Sequence, residues 1–316
     1  MAITSNVLSL RRKIDAYLLC GHGSYAVAMT MAMGAGPGRD ELGILPAAAR
    51  LASARSYLMC PPFHFAVEYA INPWMRPDRP ADPRRAVRQW ERLRQVYTEL
   101  GHTVHLIEPV AGLPDMVFAA NGATVVGGAV LGARFRHPER AAEAGAYLDW
   151  FRGHGYGDVH VPQVINEGEG DILCTGDALL AGYGFRSDPG VADELAAAFG
   201  LPVHPIRLVD PRFYHLDTAM CVLDGTTAAY YPAAFDDAGR ELLKGQFSDL
   251  IEATGDDAAV LGLNAVSDGR HVVLPEQATD LAARLAEHGF EPIGVDLSEL
   301  RKAGGGPKCC TLELRN

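Results

Sequence analysis

The sequence predicts an α/β fold assembled from five repeated units, and three observations support this prediction. Short apolar segments alternate with helical patterns such as VRQWERLRQVYTELGH and ARLAEHGF from residue 56 onward, which is typical of α/β proteins. Glycines close these helical patterns at Gly101, Gly155 and Gly289, where a left-handed residue commonly ends a helix. Polar positions also recur at or near the ends of the apolar segments at a nearly constant interval, which indicates repeated supersecondary units.

The recurring positions are separated by intervals of 45 to 49 residues. They are Asn72, Asn121, Glu169, Leu216 and Asn264, followed by Cys309. Leu216 is itself apolar and marks the place between His215 and Asp217. Five units arranged in a ring would bring their strand ends to one central point. We therefore expect Asn121, Glu167, His215 and Cys309 to meet there, although they lie far apart in the sequence.

The first 55 residues follow a different pattern. They contain MTMAMGAGPG, a glycine and proline run at residues 34–38 that is typical of a linker, and an alanine-rich helical pattern, LPAAARLASAR. We therefore predict an N-terminal extension over residues 1–55 and a catalytic domain over residues 56–316.

Composition limits the classes of function. The 316 residues are 48% hydrophobic, which is sufficient to bury the core of one large domain or two small ones. Twenty-eight Lys and Arg against 39 Asp and Glu give a net charge of −11, which disfavours binding to nucleic acid and suits a cationic small molecule. We expect no association with a membrane, because no apolar run has the length of a membrane span.

The cysteines are too few for a disulfide framework in a chain of this length. They are Cys20, Cys60, Cys174, Cys221, Cys309 and Cys310. Their spacing does not suggest a zinc site. Arg11 and Arg12 precede an apolar stretch, as in a signal peptide, but no clear small-residue cleavage site follows it. We therefore expect reduced thiols and a cytoplasmic protein.

The first candidate for chemistry is the segment GGGPKCCTLELRN. Glycines allow a close backbone approach and unusual dihedral angles, and CCTLEL is typical of a strand. On a strand Cys309 and Cys310 would point to opposite faces, so only one of them would face a site. Lys308 is adjacent, but its side chain should also point away from the Cys309 thiol. Two buried core cysteines are the alternative.

Two further candidates carry acid and base groups. In FYHLD, His215 and Asp217 would share one face of a strand, which suits an acid–base group beside a group that holds a cation. In NEGEGDILCTGD, Glu167, Glu169 and Asp171 alternate with glycines before an apolar run. They indicate either a turn with solvated carboxylates or a carboxylate that orients a catalytic histidine.

The remaining candidates are polar residues near apolar segments. Asp115 and Asn121 flank the apolar run of PDMVFAANGATVV, which we interpret as a strand. Arg140 in FRHPERAAE and Arg186 in GYGFRSD are either surface charges or a pair that binds a substrate carboxylate.

Taken together, seven segments in order resemble the guanidino-group-modifying (pentein) superfamily of arginine deiminases, dimethylarginine dimethylaminohydrolases and amidinotransferases. The segments run from residue 57 to the C-terminus. They are MCPPFHFAVEYAINPWM, PDMVFAAN, FRHPER, NEGEGDILCTGD, GYGFRSD, YHLDTAMCVL and GGGPKCCTLEL. This resemblance implies a five-bladed α/β propeller with pseudo-fivefold repeats.

The resemblance also implies roles for individual residues. Cys309 matches the nucleophile, His215 the general acid and base, and Glu167 its carboxylate partner. The substrate-binding set implied is Asn72, Asp115, Phe118, Asn121, Arg140, Asp171, Arg186 and Asp217. Within it, Asp217 matches the residue that holds the guanidinium, Arg140 and Arg186 resemble arginines that bind the α-carboxylate, and the Asn72 and Asn121 pair is similar to arginine dihydrolases.

The implied activity is hydrolysis of the guanidino group of arginine or a derivative through a covalent thiouronium intermediate. It requires no metal or organic cofactor. The implied partner is a small guanidino substrate, and assembly into a homo-oligomer is an open alternative to a monomer. The sequence departs from the pattern C-P-P-D-x-F-D-V, because Phe63 and Ala66 stand at its acidic positions. Two alternatives are an amidinotransferase, in which an amine replaces water, and a non-catalytic propeller that binds amino acids.

Overall fold

The computed structural model describes residues 50–316, in which strands and helices alternate along the chain. The strands are β1 (Ser56–Met59), β2 (Thr103–Leu106), β3 (Ala123–Val126), β4 (Ala129–Gly132), β5 (Val159–His160), β6 (Ile172–Cys174), β7 (Leu179–Tyr183), β8 (Val203–Arg207), β9 (Met220–Val222), β10 (Thr227–Tyr230), β11 (Asp249–Glu252), β12 (Val266–Ser267), β13 (His271–Pro275), β14 (Glu291–Val295) and β15 (Leu312–Glu313). The predicted α/β alternation is confirmed.

The α-helices of the described residues lie between these strands. They are α1 (Pro83–Glu99), α2 (Glu143–Gly153), α3 (Val191–Phe199), α4 (Leu216–Ala219), α5 (Asp237–Gln246), α6 (Gly255–Ala259) and α7 (Thr279–Glu287). None of these helices combines the length and the apolar character that a membrane span needs.

Helix α1 shows how local sequence sets an element. The Asp82 side chain accepts the backbone N–H groups of Arg84 and Arg85, and proline follows it at the first helical position; both features favour the start of a helix. Trp90 lies on the buried face and contributes to the core. Gly101 follows the helix with φ of +86°, as the sequence predicted for a helix-ending glycine.

The strands form five three-stranded sheets with one shared plan. In each sheet the middle strand is antiparallel to one neighbour and parallel to the other. Four sheets use consecutive strands, whereas the remaining sheet joins β15 to β1 and β2, with Tyr57 opposite Glu313. The five predicted units therefore correspond to five sheets, one of which combines the two ends of the described chain.

A short turn precedes the first strand of each unit, and we call these five segments the leading turns. They cover residues 119–122, 167–170, 216–219, 261–264 and 306–310. Hydrogen bonds connect them: the Ala120 N–H donates to the Cys309 carbonyl, and Asn121 Nδ2 donates to the Glu167 carbonyl. The repeat thus brings distant polar residues together.

Residues 1–49, including the predicted linker at 34–38, lie outside the described residues. The helical pattern LPAAARLASAR reaches into them, but residues 50–55 are not helical, so that part of the helix prediction is wrong. Contacts with loops of the β12–β13–β14 sheet explain this conformation. The Arg50 guanidinium lies 3.5 Å from the Phe290 ring centre, and the Ser53 N–H donates to the Asp268 carbonyl at 2.8 Å.

Candidate active site

Cys309 lies in the leading turn before β15 and is 2% exposed. Its Sγ is 3.3 Å from Oδ2 of Asp217 and 3.1 Å from Nδ2 of Asn264. Both cysteines border the same hydrophobic core cluster, but of the two only Cys309 has a thiol that hydrogen-bonds to side chains of the described residues. The prediction that both cysteines lie on a strand is wrong, because β15 begins only at Leu312, and a turn gives the two thiols their different surroundings.

The protein environment shifts the pKa values of both Cys309 and Asp217. Burial raises the pKa of the Cys309 thiol well above its usual range, and the Asp217 carboxylate adds to the rise. Burial also raises the pKa of Asp217 to about 6, although His215 and Lys308 oppose it. The thiol therefore rests protonated near neutral pH and donates to Asp217. A cation beside both groups would favour their ionised forms.

Three consecutive glycines carry the chain to Cys309. Gly304 has φ of +89°, a conformation that favours glycine. A Cβ on Gly305 would lie 2.2 Å from Cε1 of Phe118, and a Cβ on Gly306 would lie 2.9 Å from Oδ1 of Asn264. The glycines therefore permit tight packing against Phe118 and against Asn264, which contacts the thiol.

We predict that Gly305→Ala lowers the free energy of unfolding by about 1–3 kcal/mol, because its methyl group would overlap the Phe118 ring. Displacement of the turn that carries Cys309 should also lower kcat. Urea unfolding and steady-state kinetics measure the two effects. Gly245→Ala is the matched control, because it lies in α5 with no atom near its Cβ position. Equal stability and kcat in both variants would contradict the prediction.

His215 precedes α4 and forms its N-cap, so the prediction of a strand through His215 and Asp217 is wrong. Both side chains are nevertheless buried within the site. His215 Nε2 is 2.7 Å from Oε2 of Glu167, which fixes the orientation of the imidazole ring. His215 Nδ1 is buried and has no hydrogen-bond partner among the described residues. This second nitrogen is consequently the one left for proton transfer.

Glu167 is held ionised by its neighbours. Burial alone would raise its pKa, but Arg186 and His215 together lower it below the usual range. Arg186 Nη1 donates to Glu167 Oε2 at 2.8 Å, and Arg186 Nη2 donates to the Ile71 carbonyl at 2.8 Å. The guanidinium also lies over the Tyr214 ring. Arg186 thus braces the Glu167–His215 pair, a function that the sequence did not predict.

Arg140 is likewise committed to protein groups. It makes a bidentate contact with Glu143, at 3.0 and 2.8 Å, and Nη1 donates to Oδ1 of Asn121 at 2.8 Å. Nη2 also donates to the Asp115 carbonyl. Binding of a substrate carboxylate by Arg140 and Arg186 stays a prediction, whereas these contacts give both residues a structural function.

Asp115, Phe118 and Asn121 lie in or between two 3₁₀ turns, Pro114–Val117 and Ala119–Gly122. The strand predicted between Asp115 and Asn121 is therefore wrong. Asp115 Oδ2 accepts the Tyr69 hydroxyl at 2.9 Å, while its buried Oδ1 has no partner among the described residues. Phe118 packs edge-on against Phe65. The two turns keep these polar and aromatic groups together, whereas an extended strand would have separated them.

Asn72 and Asp171 form hydrogen bonds that connect different segments of the chain. Asn72 Nδ2 donates to the Ala303 carbonyl at 3.0 Å, and its Oδ1 accepts the Trp74 N–H. Asp171 accepts the Ser187 hydroxyl at 2.6 Å and the Leu216 N–H at 3.1 Å. Asn72 thus joins its loop to the segment before Cys309, and Asp171 joins its turn to α4. Their contact with substrate stays a prediction.

Glu167, Glu169 and Asp171 are buried, so a turn with these three carboxylates solvated is the wrong interpretation. Glu169 contacts Lys308 at 2.6 Å and also Arg315. Lys308 is thereby directed to Glu169, in agreement with the expectation that it points away from the thiol.

The sequence indicates Asn264 only as a member of the repeat and predicts no chemical role for it. In the structure its side chain contacts the Cys309 sulfur. Its position in the same periodic series as Cys309 was the signal that could have identified it.

Comparison with known proteins places this geometry in context. Residues 67–316 match the family described as N,N dimethylarginine dimethylhydrolase, eukaryotic. The chain is 55% identical over 275 residues to the N(G),N(G)-dimethylarginine dimethylaminohydrolase of Mycobacterium tuberculosis, covering 85% of this chain and 91% of that protein.

A second relative is the bifunctional arginine dihydrolase/ornithine cyclodeaminase ArgZ of Synechocystis sp. It is 39% identical over 265 residues, which cover 81% of this chain but only 37% of that protein. The N-terminal domain of an ArgZ variant, solved covalently bonded to a reaction intermediate, matches with a TM-score of 0.79 and 38% identity. That match covers 83% of this chain and 98% of the solved chain.

Proposed function

Because the chain belongs to the N,N-dimethylarginine dimethylhydrolase family, we propose that Cys309, His215 and Glu167 are its catalytic residues and that dimethylarginine is its substrate. The protein is a cysteine-dependent hydrolase that acts on a guanidino C–N bond. The observation that carries the residue assignment is the contact of one buried thiol with Asp217, beside a histidine oriented by Glu167.

The first half of the reaction forms a bond to sulfur. The substrate guanidinium lies against Asp217, whose Oδ1 is buried without a partner among the described residues. The positive charge favours loss of the thiol proton, which passes to His215, and the thiolate of Cys309 attacks the guanidinium carbon. A C–S bond forms and the C–N bond to the leaving amine breaks as His215 protonates that nitrogen.

The second half regenerates the enzyme. His215 now accepts a proton from water, and the resulting hydroxide attacks the thiouronium carbon. The C–S bond breaks, the proton held by His215 returns to the sulfur, and the substrate carbon leaves as a urea group. With dimethylarginine the products are citrulline and dimethylamine. Glu167 stays ionised and holds the imidazole through both proton transfers.

A second candidate substrate is unmethylated arginine, favoured by Asn121. With Asn72 it forms the pair that resembles arginine dihydrolases, and the ArgZ relative is named as an arginine dihydrolase. Arginine would then give citrulline and ammonia, or ornithine, two ammonia and carbon dioxide after a further hydrolysis.

The experiment that separates these substrates is mass spectrometry of the products from dimethylarginine, monomethylarginine, arginine and agmatine. We expect citrulline and dimethylamine from dimethylarginine at the highest kcat/KM. Ornithine from arginine, with dimethylarginine inert, would replace the first candidate by the second. A purified, folded protein inactive on all four guanidines would contradict both.

We also infer that the five sheets are the blades of a closed propeller. The shared strand plan, the completion of the first sheet by β15 and the hydrogen bonds between leading turns support this arrangement. It would place the leading turns at one end of the central axis.

A further inference from the structure

Asn264 contacts the sulfur of Cys309, and no step of the reaction described so far uses it. The residue ends the leading turn before β12 and is fully buried. Its Nδ2 is 3.1 Å from Sγ of Cys309 and 3.1 Å from the carbonyl oxygen of Asp217. Its Oδ1 accepts the N–H groups of Gly306 and Cys309, each at 3.0 Å.

These contacts determine which end of the amide faces the sulfur. Backbone N–H groups can only donate, so the atom they contact must be the amide oxygen. The Asp217 carbonyl can only accept, so the atom beside it must be the nitrogen. Both tests give the same orientation, which directs an N–H donor at Sγ.

The sulfur therefore lies between two groups of opposite character. Asp217 Oδ2 accepts a hydrogen bond from the thiol, but its charge repels the thiolate. Asn264 Nδ2 instead donates, and a hydrogen bond to an ionised acceptor is stronger than one to a neutral acceptor. Ionisation of Cys309 thus exchanges its favourable partner from Asp217 to Asn264.

On the assumption that Cys309 is the nucleophile, as proposed above, we propose that Asn264 is a further catalytic residue that stabilises the Cys309 thiolate through its Nδ2–H group. Its Oδ1 has a second function, because it holds the turn of Gly306 and Cys309 and so fixes the position of the sulfur. The two ends of one amide therefore separate charge stabilisation from positioning.

This division can be tested with two substitutions. Asn264→Asp keeps an oxygen for the two backbone donors but replaces the N–H donor by a carboxylate oxygen. Asn264→Ala removes the donor without adding charge. The other titratable groups that act on the thiol are Asp217, Cys310 and Tyr214, and both variants retain all three.

The measurement is the rate of iodoacetamide alkylation at Cys309 against pH, with the modified residue located by mass spectrometry. In Asn264→Ala we expect the pH midpoint to rise by about one unit, so that alkylation below the midpoint falls about tenfold. The added carboxylate of Asn264→Asp should raise the midpoint further. We expect kcat to fall by a similar factor and KM to change less. Asn166→Asp, at another fully buried asparagine, should leave the midpoint of Cys309 unchanged.

An unchanged midpoint in folded Asn264→Ala would overturn the assignment, as would equal shifts in Asn264→Ala and Asn166→Asp. If Asn264→Asp fails to fold, Asn264→Ala carries the comparison. Alkylation needs no guanidine substrate, so it tests Asn264 even if every substrate tried is inert. Inactivity of the parent chain would contradict the proposed function alone.

Discussion

Replacing Cys309 with serine is expected to reduce guanidine hydrolysis by about 10⁴-fold or more, because loss of a nucleophile removes the covalent route. A serine hydroxyl at this position would have to ionise beside Asp217, in a site whose burial already raises the pKa of a thiol. The measurement is kcat on the best guanidine substrate, together with a search for the covalent adduct by intact-protein mass spectrometry.

Cys310→Ser is the matched control for this experiment. Cys310 belongs to the hydrophobic core, so its replacement places a hydroxyl in an apolar setting and should cost about 1–3 kcal/mol of stability. The folded fraction should keep most of its activity. Normal turnover in Cys309→Ser, or its loss only in Cys310→Ser, would refute the assignment of the nucleophile.

Arg140→Met is expected to lower the free energy of unfolding by about 3–5 kcal/mol, because it leaves Glu143 as a buried carboxylate without its cation. Urea unfolding monitored by circular dichroism measures the loss. Arg152→Met is the control, because that arginine is half exposed and pairs with the exposed Asp149. Its substitution should change stability by less than about 0.5 kcal/mol.

The loss should depend on pH in a defined direction. Burial raises the pKa of Glu143 to about 7, although Arg140 opposes this rise, so removing Arg140 should raise it further. Protonated Glu143 needs no cation, whereas the ionised form does. The deficit of Arg140→Met should therefore grow as pH rises through neutrality. Equal deficits at pH values below and above the pKa of Glu143 would contradict this explanation.

The sequence predicted the parts of the fold that depend on local periodicity. Helix α1 has its cap, its apolar stripe and its closing glycine within one stretch of chain, and the interval between Asn121, Asn264 and Cys309 revealed the repeated units. The leading turns were not predicted, because their backbone follows contacts with other units. Cys309 is an example: its carbonyl accepts from Ala120, and its N–H donates to Asn264.

The candidate site also contains both features that the local sequence predicts and features that depend on distant contacts. The repeat interval and the motif order brought Cys309, His215 and Glu167 together, and the structure places His215 against Glu167. Arginines are harder to interpret, because a buried guanidinium and a ligand-binding one look alike in a sequence. Glu143, three residues after Arg140, was a local indication of its partner. The contact of Arg186 with the Ile71 carbonyl depends on a segment over one hundred residues away.

The pairing of β15 with β1 has a consequence for biosynthesis. β1 and β2 are translated before every other strand described, but their sheet is complete only when β15 reaches it. Cys309 arrives with that strand, so four sheets can form on the ribosome before the sulfur has emerged. A chain whose synthesis has not reached β15 would lack Cys309, and the proposed site would be complete only after the step that pairs β15 with β1.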